Sequence, residues 1–216
     1  MENEVHVWQI ALDTLPPGRE RILSASECDR MARFHFERDR GRYAASHAAL
    51  RQILARYAGG EPAALEFTAG PGGKPALEPK MNPLGISFNL SHSGDLAMVA
   101  VARGRDVGVD VERIRGDIEA LEIARRFFDP AEAAELAALA PDAADGAFFA
   151  LWTRKEALLK ARGLTLGEGL HHAPAEAAGY TVQGIDAPTG YAAAVAAAGS
   201  GWTLRTFQFS DKTSRP

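Results

Sequence analysis

Disulfide chemistry is the first thing this sequence lacks. Cys28 is the only cysteine in 216 residues, so no internal disulfide can form. No Cys/His spacing fits a zinc site, and a reducing cytoplasm is the expected compartment. Long apolar runs are missing too: nothing approaches the roughly 18 consecutive apolar residues of a membrane span. The opening Met1-Glu2-Asn3-Glu4 is acidic and has no apolar core, so it does not read as a signal peptide. Nor is there a surplus of positive charge. With 24 Lys+Arg against 28 Asp+Glu the net charge is −4, which argues against general affinity for nucleic acid. What is present is the composition of an ordinary globular protein, 46% hydrophobic and 24% charged. The length suits one large domain or two small ones sharing a core.

The most informative stretch is Val107-Gly108-Val109-Asp110-Val111-Glu112. Its valines alternate with the other three residues, which is strand periodicity. Side chains two apart on a strand share a face, so Asp110 and Glu112 point the same way. Two adjacent carboxylates repel, and burying them is costly without a positive charge between them. A hard cation such as Mg²⁺ fits, because it takes one or two carboxylates together with substrate phosphates. The alternative is an edge strand with a solvated acidic face.

The stretch before this strand predicts further elements. Val5 to Ile10 reads as a strand. Ser24-Ala25-Ser26-Glu27 fits a capping box that opens a helix to about Phe34. A longer helix covers about 38–57, with Tyr43, His47, Leu50, Leu54 and Tyr57 as its apolar stripe and Gly59-Gly60 as its stop. Arg30, Arg33, Arg38, Arg40 and Arg42 make its approach basic, either as a solvated face or as an anion site. The loop Gly70-Pro71-Gly72-Gly73-Lys74-Pro75 presents Lys74 at its tip. Residues 86–90 form a strand with one polar face, Ser91-His92-Ser93-Gly94 a turn, and 96–102 a buried strand.

Beyond the acidic strand, Asp129-Pro130-Ala131-Glu132 is a helix start with Glu132 at N3. Pro141 closes that helix, and another runs from about Asp145 to Arg162, capped by Gly163. Three strands follow at 180–182, 191–198 and 202–209, and the polar tail 210–216 frays. The segment after Ser93-Gly94 echoes the one after Thr189-Gly190, which suggests two similar α+β halves meeting near residue 104.

The helix 145–162 answers the acidic strand. Phe148, Trp152 and Leu159 define its apolar stripe, and Lys155 and Glu156 interrupt the buried side. Lys160 follows Glu156 by four residues, so an ordinary helical Glu–Lys pair accounts for that lysine and leaves Lys155 unexplained. If Glu156 faces Asp110 and Glu112 instead, three carboxylates converge between two lysines, as a polyphosphate with its metal would require.

Gly108-Val109-Asp110-Val111-Glu112, followed by Trp152-Thr153-Arg154-Lys155-Glu156-Ala157-Leu158-Leu159-Lys160-Ala161-Arg162-Gly163, resembles the signature pair of the 4′-phosphopantetheinyl transferases. Phe88-Asn89-Leu90-Ser91-His92-Ser93-Gly94, Gly73-Lys74-Pro75 and Arg33-Phe34 resemble further motifs of the Sfp-type branch. The likeness runs in order from about residue 27 to about residue 170.

This resemblance implies an α+β pseudo-dimer, with an N-terminal subdomain over 1–104, a C-terminal one over 105–216 and the active site between them. It implies transfer of the phosphopantetheine arm of coenzyme A to a serine of an apo acyl or peptidyl carrier, with release of adenosine 3′,5′-bisphosphate. Asp110, Glu112 and Glu156 match the Mg²⁺ ligands of the family. Lys155 and Lys160 match phosphate contacts, Lys160 also serving catalysis. Lys74, Ser91 and His92 match residues near the adenosine and its 3′-phosphate, with Arg30, Arg33 and Arg42 completing the anion site. Tyr43 departs from the small hydroxyl residue some relatives carry near the adenine. Glu132 matches a proposed general base, although capping explains it as well; a metal-bound hydroxide is the other candidate.

Arg113-Ile114-Arg115-Gly116-Asp117-Ile118 matches the carrier-docking segment, where arginines and isoleucines would meet an acidic amphipathic helix. No nucleic acid or membrane is an expected partner, and the expected state is a monomer. Two rivals stand beside this reading: another Mg²⁺-dependent phosphoryl-transfer enzyme, and a non-catalytic module binding coenzyme A or carriers.

Overall fold

The computed structural model describes residues 1–164 and 179–210. The elements in chain order are β1 (Glu4–Ala11), α1 (Ala25–Met31), α2 (Glu37–Ala58), β2 (Phe67–Ala69), β3 (Pro75–Leu77), β4 (Ile86–Ser93) and β5 (Leu96–Arg103). There follow β6 (Val107–Arg113), α3 (Ala120–Phe127), α4 (Pro130–Ala137), α5 (Pro141–Arg162), β7 (Tyr180–Gly184), β8 (Tyr191–Ala198) and β9 (Thr203–Gln208). No described helix is long and apolar enough to cross a membrane.

The two halves repeat one plan. In the first, the sheet order is β4-β5-β1; in the second it is β7-β8-β6, each with antiparallel neighbours. A 22-residue helix, α2 or α5, covers the outer face of each sheet. The inner faces meet: Val7 and Met98 of the first sheet pack with Val109 and Val195 of the second. The alternation seen in β6 is the cause. Its valines enter this central layer, while Gly108, Asp110 and Glu112 turn towards α5. The α+β architecture of two similar halves thus follows from strand periodicity and two long helices.

Three expectations change. β9 pairs in parallel with β1, so residues 203–208 complete the N-terminal sheet and leave the division at 105–216. β4 continues through Ser93, because Ser91 to Ser93 stay paired with β5 where a turn was expected. α5 begins at Pro141, which opens this helix where the sequence reading had it closing α4. The tail beyond 210 and the end of the motif region at 165–170 lie outside the described residues.

Both capping boxes are present. Ser24 Oγ accepts from the Glu27 amide at 3.3 Å while Glu27 takes the Ser24 amide at 2.7 Å. At α4, Asp129 Oδ1 accepts from Ala131 and Glu132 takes the Asp129 amide at 3.0 Å.

The candidate active site

The site lies where β4, β6 and α5 converge. β4 and β6 belong to different sheets, and polar side chains of β4 fasten them together. Asn89 Oδ1 accepts from the Val109 amide at 2.9 Å, Ser91 Oγ donates to Asp110 Oδ1 at 2.8 Å, and Ser93 Oγ donates to Glu112 Oε2 at 2.8 Å. The polar face of β4 is therefore the seam between the halves. On the other side, Gly108 lets β6 touch the backbone of α5. A Cβ there would overlap the Ala157 carbonyl oxygen and the Ala161 amide nitrogen and come 2.9 Å from the Lys160 carbonyl carbon.

This close approach brings Lys160 onto the acidic strand. Its Nζ donates to Asp110 Oδ1 at 2.6 Å and to Ser91 Oγ at 3.1 Å. The Glu156–Lys160 helical pair is thus replaced by a pairing across elements. Asp110 is only 2% exposed, and its Oδ2 is buried with no hydrogen-bond partner among the described residues. Burial, reinforced by Asp110 and Glu112 against the opposing pull of Lys160, pushes the Glu156 carboxyl up to about 7. Burial also raises Glu112, opposed by the Ser93 hydroxyl and helped by Asp110. The three carboxylates lie close enough to feel one another, and their charge exceeds what Lys160 supplies.

Among the described residues no three His, Cys, Asp or Glu side chains form a ready-made metal cage. The donor set nevertheless fits a hard cation: an orphaned buried carboxylate oxygen flanked by two carboxylates whose ionisation is resisted. Mg²⁺ commonly takes few protein ligands and leaves the rest to phosphate and water.

Beside the carboxylates opens a cleft of about 730 Å³ between α1, α2 and β4. Its walls include Arg30, Phe34, Tyr43, His47, Phe88 and His92. Tyr43 stacks on His47 with ring centroids 3.8 Å apart. Burial pushes His47 down to about 4, so its imidazole is neutral near pH 7. Desolvation of the ring, with the Lys160 charge behind it, lowers His92 too.

Several expected residues stand elsewhere. Ser91 is buried beside Asp110, at the carboxylate end, because it alternates with His92 on β4 and faces the opposite way. Lys74 is no exposed loop tip: its Nζ donates to the Val107 carbonyl at 2.6 Å, and burial lowers its pKa. Gly72 packs against the Gly163 carbonyl at the end of α5, which draws this loop onto the C-terminal half.

The arginines disperse. Arg30 lines the cleft, Arg33 is exposed away from it, and Arg42 forms a bidentate pair with Asp13. The nearby acidic residues Asp13, Glu37 and Asp39 take up Arg42, Arg40 and Arg38, which is why the basic cluster does not form one anion site.

Lys155 is 2% exposed and pairs with Glu132 at 2.8 Å, its ammonium 5.1 Å from the Phe128 ring centroid. Glu132 thus caps α4 and neutralises a buried lysine at once. A glutamine there keeps the cap but removes the carboxylate charge paired with Lys155, so cap and base cannot be separated by that change alone. Ile114 and Ile118 are partly buried against the core under α3 and α5, while Arg113, Arg115, Gly116 and Asp117 are exposed. The sequence reading missed the clamping roles of Asn89 and Ser93 and the contact at Gly108.

A carboxylate cluster with a lysine at the seam between two α/β halves, near an aromatic-walled cleft in the N-terminal half, suits an enzyme that handles a phosphorylated substrate. Comparison with known proteins specifies which. Residues 106–195 match the 4′-phosphopantetheinyl transferase superfamily, and residues 8–104 match the 4′-phosphopantetheinyl transferase N-terminal region. Over 166 residues the chain is 39% identical to the 4′-phosphopantetheinyl transferase HetI of Nostoc sp., covering 76% of this chain and 70% of that one. It is 33% identical over 158 residues to a 4′-phosphopantetheinyl transferase of Bacillus subtilis, covering 67% of each. The protein belongs to the 4′-phosphopantetheinyl transferase family and is a transferase.

Proposed function

We propose that the protein transfers the 4′-phosphopantetheine arm of coenzyme A to a serine of an apo acyl or peptidyl carrier, in a Mg²⁺-dependent reaction. The observation that carries this reading is Asp110: buried, with one oxygen held by Ser91 and Lys160 and the other without a partner, beside two further carboxylates. Asp110, Glu112 and Glu156 would hold Mg²⁺, which supplies charge neutralisation at the pyrophosphate.

The cleft takes the nucleotide end, with Arg30 and His92 near its 3′-phosphate. The carrier hydroxyl attacks the β-phosphorus, the bond to the leaving phosphate breaks, and adenosine 3′,5′-bisphosphate departs. Lys160 stabilises charge on that phosphate from a preorganised position, fixed by Asp110 and Ser91 before substrate arrives. Glu132 is the side-chain candidate for accepting the serine proton; its second carboxylate oxygen is the one not used on Asp129 or Lys155.

Incubation with coenzyme A, Mg²⁺ and apo-carrier should add one phosphopantetheine to the carrier by mass spectrometry. Asp110→Asn keeps the side-chain shape and should reduce the rate by about 10²–10³-fold, the usual effect of losing one preorganised charge contact. An unmodified carrier with the wild-type protein, across a panel of apo-carriers, would refute the reading.

Carrier docking is proposed at Arg113 and Arg115, which adjoin Glu112 on the surface side of the site. Arg115 lies 3.6 Å from Asp117, an exposed pair worth little in itself. Arg113→Glu combined with Arg115→Glu should raise KM for an acidic carrier, leave coenzyme A affinity unchanged, and lose its effect at high salt as screening removes the steering. An unaltered carrier KM at low ionic strength would remove this segment from the docking site.

A further inference from the structure

The hydroxyl of Ser93 is fully determined by its surroundings. The Arg113 amide can only donate, and does so to Ser93 Oγ at 3.1 Å. An ionised Glu112 can only accept, so the single Ser93 proton goes to Glu112 Oε2 at 2.8 Å. One backbone amide thus orients the hydroxyl, and the hydroxyl orients the carboxylate. Ser91 repeats the arrangement two residues earlier. It receives a proton from Lys160 and donates its own to Asp110.

The two serines share one face of β4, and the two carboxylates share one face of β6. Glu112 has more need of such a clamp than Asp110. It has an additional side-chain torsion, and among the described residues no cation bonds to it directly. Left to itself it would spread over several rotamers, and ordering them would oppose ligand capture.

We propose that Ser93 is a positioning residue. Its hydroxyl holds Glu112 in the orientation in which its other carboxylate oxygen can join the cation site. The arrangement has a second consequence. Because Ser93 also takes the Arg113 amide, the start of the 113–118 segment is anchored to the same oxygen that orients the metal-site carboxylate. This assignment rests on the reading that Asp110, Glu112 and Glu156 hold a hard divalent cation.

The test is Mn²⁺ binding to the protein without coenzyme A, followed by electron paramagnetic resonance. Mn²⁺ serves as probe because it prefers the same oxygen donors as Mg²⁺. Ser93→Ala should weaken Mn²⁺ about tenfold, the usual scale for losing the outer partner of a metal ligand. Ser93→Thr restores the hydroxyl and should recover the affinity. Ser87→Ala, on the same face of β4 but at its far end, should bind as wild type.

Wild-type affinity in Ser93→Ala would overturn the assignment. So would an equal loss in Ser93→Thr, which would trace the effect to packing, or an equal loss in Ser87→Ala, which would trace it to the seam as a whole. Asp110→Asn separates the two levels. If it leaves Mn²⁺ binding intact, the cation reading itself fails. If it abolishes binding while Ser93→Ala does not weaken it, only the role of Ser93 fails.

Discussion

Gly108→Ala should lower the unfolding midpoint by about 6–12 °C, corresponding to about 3 kcal/mol or more for a chain of this size. The added methyl would meet backbone atoms of α5, at Ala157, Lys160 and Ala161, and a hydrogen-bonded helix backbone cannot yield as a flexible side chain can. β6 and α5 must therefore separate. That displacement acts on the site as well, because Lys160 reaches Asp110 across this same contact. Whatever fraction of the variant folds should show reduced kcat together with weakened coenzyme A binding. Differential scanning calorimetry and steady-state kinetics check the two effects. A variant with wild-type midpoint and turnover would show that the close approach at Gly108 is not required.

Glu156→Gln should separate stability from activity, with opposite signs. Glu156 has a folded-state pKa raised from the ordinary 4.5 to about 7, mainly by burial. Between those values the folded protein binds more protons than the unfolded chain. Stability contributed by this group therefore falls as pH rises through that window and is lost above it. Glutamine removes the ionisation. In metal-free buffer the variant should melt higher than wild type at pH 8, and the difference should vanish towards pH 4.5. Mg²⁺ should raise the wild-type midpoint at pH 8 and have a much smaller effect on the variant. Transfer activity should fall by about 10²–10³-fold, since one of the three carboxylates proposed to hold the cation loses its charge. Equal midpoints at pH 8, or near wild-type turnover, would remove Glu156 from the proposed cation site.

The parts of this molecule that were legible in its sequence are those whose partners are close along the chain. The two capping boxes join residues three apart, and both are present. Alternation in β6 assigned Asp110 and Glu112 to one face, because strand period is a local property. The interruption of the α5 stripe by Lys155 and Glu156 correctly marked charges on a buried face.

What those charges meet was not legible. Lys155 finds Glu132 on another helix, Lys160 finds Asp110 fifty residues away, and Arg42 finds Asp13. Each pairing depends on how elements dock, which periodicity does not encode. Gly108 read as one more small residue in an alternating strand, and only the neighbouring helix reveals why a side chain is forbidden there. Lys74 had every local mark of a loop tip, yet the packing of Gly72 against Gly163 turns it inward. The polar face of β4 was visible as a pattern, but the seam it forms with β6 lies between two sheets.

The parallel pairing of β9 with β1 bears on how the protein is made. During synthesis β1 emerges first and β5 can pair with one of its edges soon afterwards, but its other edge waits for residues 203–208. Until then a strand carrying the apolar Val5, Val7, Trp8 and Ile10 presents unpaired amides and carbonyls to other nascent chains. The N-terminal half is thus not an autonomous folding unit closed by its own sequence. A chain halted before residue 203 leaves that edge open, and the ribosome must deliver residues 203–208 before the first sheet is sealed.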